Sequence, residues 1–141
     1  MDKMKSAHIL LVEDNEGDIY LTLEALNESA VENKVSIARD GQEALDFIFK
    51  TNGFEHQATP DLIILPKKSG HEVLHELKQH HNYKKIPVVV LSTSSSKEDI
   101  DLSYQNYANC YITKPAEVSD FLKTVASIQN YWFDTASLPV N

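Results

Sequence analysis

Glu13 and Asp14 stand side by side directly after the apolar run Ile9 to Val12, with Glu16 and Asp18 close behind. Adjacent carboxylates repel each other unless a cation or water lies between them. Hard oxygen ligands of this kind suit Mg2+, which takes one or two carboxylates and keeps several waters. The same side chains can equally be solvated or cap a following helix. Ser92 and Thr93, with three further serines behind them, follow the run Ile86 to Leu91. Their hydroxyls could bond a phosphoryl oxygen, although Ser-rich segments also form turns and helix caps. Lys114-Pro115 follows a third run, Ala108 to Thr113. An ammonium there could neutralise charge developing on a transferring phosphoryl group, or it could be a surface lysine before a turn.

A different chemistry is suggested by His71-Glu72-Val73-Leu74-His75, which matches HExxH. In that zinc-protease pattern two histidines share a helix face and the Glu is a general base. His81 has the spacing of a third ligand, but Lys78 stands where the longer motif needs Gly to turn the chain back. On a continuous helix His81 would lie about 9 Å beyond His75 along the axis, well around from its face. The alternative places these histidines on the solvated face of a helix, opposite Val73, Leu74 and Leu77. His8, His56 and His80 form no constellation.

The elements that must position these groups alternate in type. Ile9–Val12, Asp61–Leu65, Ile86–Ser92 and Ala108–Thr113 read as strands, the first three almost wholly apolar, as expected of strands covered on both faces. Lys34–Ala38 alternates like a further short strand. Helices are expected to about Ser29 (Ile19, Leu23 and Leu26 inward) and from Asp40 through Lys50 (Ala44, Leu45, Ile48 and Phe49 inward). Three more are expected around Val73, Leu74 and Leu77, after Ser96 (Ile100, Leu102, Tyr104), and around Val118, Phe121, Leu122, Val125 and Ile128. Asp40 and Ser96, each followed three residues later by an acid, read as helix caps. Strictly alternating strand and helix implies a parallel sheet with both faces covered. Function in such a sheet sits beyond the carboxyl ends of the strands, which is where the acids, hydroxyls and lysine fall.

Composition removes several classes. The 141 residues carry a formal charge of -8, unlike the basic surface that nucleic acid or an acidic membrane demands. Cys110 is alone, so no internal disulfide forms, which fits a reducing cytosol. The first apolar run spans about six residues, too short for a signal peptide or a membrane helix. A soluble, cytoplasmic protein is expected.

The segments LLVED, IPVVVLS and YITKP resemble, over nearly the whole chain, the receiver domain of two-component response regulators. The resemblance implies an α/β, flavodoxin-like (βα)5 fold, a three-layer sandwich with a five-stranded parallel sheet. It implies one receiver domain over 1–141, with a core of about 6–131 and a tail over 132–141. Carried over by position, Glu13 and Asp14 match the Mg2+-binding pair and Ser92 the hydroxyl that senses the phosphoryl group. Lys114 matches the catalytic lysine, Tyr111 the switch aromatic that turns inward on activation, and Pro115 would follow a cis peptide bond. The implied partner is a sensor histidine kinase. The segments SYQNYANCYITK and YWFDTASLP resemble the subgroup that partners cyanobacterial phytochrome kinases. The tail aromatics Tyr131, Trp132 and Phe133 suggest a homodimer or, alternatively, packing within the chain. Such a protein is not an enzyme; it assists only its own phosphoryl transfer and dephosphorylation, and with no DNA-binding output domain expected, its output goes through protein partners.

One family feature is missing. The third strand of a receiver ends in the aspartate that accepts the phosphoryl group, but here Leu65 runs directly into Pro66-Lys67-Lys68-Ser69-Gly70. Four residues are absent relative to the family, beginning with the acceptor. Asp61 cannot replace it: at about 3.3 Å per residue it lies more than about 10 Å away. Sliding the strand would draw Pro60 and Asp61 into a buried central position, without a donor and without a partner. The expected function is therefore a single-domain response regulator of a phosphorelay, or alternatively a phosphorylation-independent pseudo-receiver binding module. A zinc metalloprotease is the remote alternative.

Overall fold

The computed structural model describes residues 6–27 and 32–132. The chain runs β1 (Ser6–Val12), α1 (Glu16–Asn27), β2 (Glu32–Ala38), α2 (Gly41–Phe49), β3 (Leu62–Leu65), α3 (Lys67–Gln79), β4 (Val88–Ser92), α4 (Lys97–Gln105), β5 (Cys110–Thr113) and α5 (Val118–Asn130). The strands form one parallel sheet in the order β2-β1-β3-β4-β5. This is the flavodoxin-like, three-layer arrangement expected from the alternating pattern. Ser29, expected in the first helix, and Phe133 with the rest of the tail lie outside the described residues.

Side chains alternate across a strand, so an apolar run with no polar positions feeds two cores at once. Leu10 and Val12 of β1, Ile63 and Leu65 of β3, and Val88 and Val90 of β4 pack with Ala44, Phe47 and Ile48 of α2 and Val73, Leu74 and Leu77 of α3. Ala7, Ile9 and Leu11, with Leu62, Ile64, Val89 and Leu91, pack on the other face with Ala25 and Leu26 of α1 and Phe121, Val125 and Ile128 of α5. Every residue of β3 is at most 1% exposed. Truncating one of its leucines to alanine would cost about 2–5 kcal/mol.

The expected caps form. Asp40 Oδ1 accepts from the Glu43 N–H at 2.8 Å, and Ser96 Oγ accepts from the Asp99 N–H at 3.1 Å. The apolar face read for α4 does not become core: Leu102 is 42% and Tyr104 48% exposed, while Ser103 is the buried residue, its hydroxyl donating to the Asp99 carbonyl. Val118, at the start of α5, is also exposed. No peptide bond among the described residues is cis, so the bond before Pro115 is trans, contrary to the resemblance.

At the opposite edge from the strand ends, Asp61 ties β3 to β1. Its carboxylate accepts from the His8 N–H at 2.9 Å, and its own N–H donates to the His8 carbonyl at 2.7 Å. The His8 ring is buried, edge-on to Phe47, with Nε2 2.9 Å from Ser36 Oγ. Burial, reinforced by the Lys34 charge and only partly offset by Asp61, pushes this imidazole below its usual value of 6.5. An unfolded chain therefore binds this proton more readily than the folded one, so the stability is intact above pH 6.5 and declines as the pH falls below it. Urea midpoints are expected to be lower at about pH 5.5 than at about pH 7.5, with a smaller gap in His8→Asn. An equal gap in that variant would show that His8 is not the source.

Candidate functional site

Five strand ends converge on a cleft of about 500 Å³ lined by Glu13, Asp14, Asp40, Pro66, Ser92 and Lys114, among others. Each βα connection delivers its residues there because parallel strands all end on one edge. β1 is followed by Glu13, Asp14 and Asn15, β2 by Arg39 and Asp40, and β5 by Lys114 to Glu117. The β3 connection is a single residue, Pro66. Leu11 pairs with Ile64, so two residues further on, Pro66 is level with Glu13. Pro66 occupies this place in the register, and the helix begins at once.

Lys114 is the centre of the site's electrostatics. Its Nζ donates to Glu13 Oε1 at 3.2 Å and to Asp18 Oδ2 at 2.8 Å, with the side chains of Lys114 and Glu13 each 12% exposed. Burial alone would lower the pKa of this ammonium, but the hydrogen bond to Asp18 and the charges of Glu13 and Asp18 outweigh it, and the value is raised. Lys114 therefore stays charged throughout the neutral range. Its backbone N–H donates to the Ser92 carbonyl, which fixes β5 against β4 at the cleft.

Glu13 is fully engaged. Besides holding Lys114 it accepts through Oε2 from the Asp14 and Asn15 N–H groups at 3.2 Å each. Asp14 is exposed at the mouth. An exposed carboxylate beside a part-buried one is a donor set that Mg2+ accepts, so Asp14 and Glu13 fit the ion, with Glu13 exchanging one partner to do so. Among the described residues no three His, Cys, Asp or Glu side chains are already grouped as a metal site.

Ser92 is buried, and its Oγ accepts from the Ser94 N–H at 3.1 Å. Tyr111 lies against the core, and its hydroxyl donates to the Ser94 carbonyl at 2.8 Å. Its N–H in turn donates to Tyr104 Oη at 3.1 Å. Sequence reasoning thus placed Glu13, Asp14, Ser92 and Lys114 at one cleft and Tyr111 beside it, joined to it through Ser94. It missed Arg39 and Asp40, which the same strand-end rule applied to β2 would have found. It also missed Asp18 as the partner of Lys114, for which no local signal exists. Arg39 pairs with Glu16 across the exposed rim.

The histidines behave differently from expectation. His75 and His81 are exposed, but both ring nitrogens of His71 are shielded, with no hydrogen-bond partner. His71 lines a groove shared with Gln42, Leu45, Asp46 and Phe49 of α2. α3 ends at Gln79, so His81 sits beyond it in an exposed turn and converges with neither.

The Lys114 geometry makes a stability prediction. Lys114→Met leaves Glu13 largely buried without its cation, and the folded state should lose about 2–3 kcal/mol. Chemical denaturation measures this directly; a change under about 0.5 kcal/mol, as at an ordinary surface site, would show the pair to be solvated.

The response regulator receiver domain matches residues 9–126. Response regulator Rcp1 of Synechocystis is 42% identical over 135 positions, covering 93% of this chain and 92% of that protein. Among solved structures, the phosphorylated cyanobacterial phytochrome response regulator RcpA superimposes with a TM-score of 0.91 at 45% identity, covering 96% of this chain and 99% of that one. The Mn2+-bound form of Rcp1 gives 0.89 at 40% identity, covering 95% and 99%. With the sheet order, the strand-end groups and these likenesses in agreement, the chain belongs to the response regulator receiver family.

Proposed function

We propose that this chain acts as a cytoplasmic receiver module, one domain over 1–141, that docks on a phytochrome-type sensor histidine kinase and signals without taking a covalent phosphoryl group. One observation carries the second half. β3 passes from Leu65 through Pro66 into α3, so the central strand delivers no carboxylate to the cleft. Asp61, its nearest acid, is held by His8 at the far end. The pathway assignment is supported by the similar structures, whose names place them in phytochrome and red-light signalling. Tyr111 supports docking through this face: its bond to the Ser94 carbonyl ties the cleft to the α4–β5 surface. That surface carries exposed Leu102, Tyr104 and Tyr107 and is suited to a protein partner or to a second copy of the chain. No separate substrate is turned over in this reading.

A second reading has a specific observation in its favour. Glu13, Asp14, Ser92 and Lys114 still share one cleft. In that reading a cleft carboxylate other than the usual acceptor takes the phosphoryl group, Glu13 and Asp14 hold Mg2+, Lys114 and Ser92 contact the group, and Tyr111 is the switch. The bound ion would supply charge neutralisation at the transferred oxygens.

Phosphodonor labelling separates the two. With Mg2+ and either acetyl phosphate or a phosphorylated histidine kinase, the intact mass is expected to remain at 15.9 kDa. Kinase binding should be equal with and without the phosphodonor. A stoichiometric phosphoryl adduct on any carboxylate would overturn the docking reading in favour of the second.

A further inference from the structure

We propose that His71 and His75 form a binding site for a Zn2+-class cation in the groove between α2 and α3, separate from the acid cleft at the strand ends. The two residues are four apart on α3, so their imidazoles sit one helical turn apart on one side. Both line the same groove, of about 760 Å³, together with Glu72 and Glu76 of α3 and Gln42 and Asp46 of α2.

Three observations favour a cation there. First, both ring nitrogens of His71 are shielded from solvent and make no hydrogen bond. An unsatisfied buried polar group is costly, and a metal bond at one nitrogen removes much of that cost. Second, the groove is lined by three carboxylates and by no lysine or arginine. Asp46 already accepts from Gln42, Thr51 and Asn52, so it supplies field rather than a ligand. Third, His75 is exposed and tied only to the flexible Gln79 amide, which leaves it free to turn toward His71.

The ligand chemistry sets the class. Imidazole pairs suit Zn2+, Cu2+ and Ni2+, whereas Mg2+ prefers oxygen donors and would stay at the acid pair. Two histidines completed by water make a weaker site than a closed four-ligand centre, and no third ligand is preassembled among the described residues. The remaining nearby histidines do not compete geometrically: His80 is stacked on Phe49 and packs against Tyr83, and His81 lies in the turn beyond the helix.

The test is a calorimetric titration of the intact chain with ZnCl2 in the presence of excess Mg2+, paired with thermal unfolding. One equivalent should bind and the melting temperature should rise. His71→Gln and His75→Gln should each weaken binding at least about tenfold, while His81→Gln leaves it unchanged. Absence of saturable binding, competition by Mg2+, or wild-type affinity in His75→Gln would overturn the assignment. Should His71→Gln fail to fold, the exposed His75 variant decides alone.

Discussion

The fixed register of β3 is the constraint on which the rest of the molecule depends. Its four residues are buried on both faces, and it is hydrogen-bonded to β1 on one side and β4 on the other. A one-residue slip would exchange its two core faces, and a longer one would bury Pro60 and Asp61. The strand therefore ends at Leu65. Pro66 comes next; it has no N–H with which to extend a ladder, and in extended backbone it stands at the N-cap of the helix that begins at Lys67. The result is a direct strand-to-helix passage at the cleft edge of the central strand.

The cleft adjusts electrostatically around that passage. Lys114 bridges Glu13 and Asp18, so the acids of the first connection are partly neutralised from within the chain. In the low dielectric of a half-buried site such a bridge is worth more than its exposed counterpart between Arg39 and Glu16. Ser92 and Tyr111 are both tied to the backbone of Ser94, which joins the cleft to the α4–β5 surface through two hydrogen bonds. α4 itself contributes little to the core. A helix whose large apolar side chains remain in solvent is stabilised less by the fold than by the surfaces it meets.

Hard and borderline ligand chemistries occupy different parts of the molecule. Oxygen donors gather at the sheet edge because parallel strands all deliver their trailing residues there. Imidazoles gather between α2 and α3 because a helical repeat puts residues four apart on one side. Neither arrangement needs the other, so cation binding at the two places should be chemically separable.

The sequence by itself determined the order of strands and helices, the burial of ILLV, LIIL and VVVL on both faces, the caps at Asp40 and Ser96, and the gathering of acids, hydroxyl and lysine at one edge. All of these are set by local spacing: the period of apolar residues, the chemistry of a capping side chain, and the position of a residue just after a run. Only the tertiary structure decided that Lys114 is held by Asp18, 96 residues away, and that Asp61 anchors His8, 53 residues away. It alone decided that Leu102 and Tyr104 face solvent while His71 does not. Periodicity states which side chains can be buried, but partners far apart in the chain, and the depth to which a helix settles on its sheet, are set by how whole elements pack.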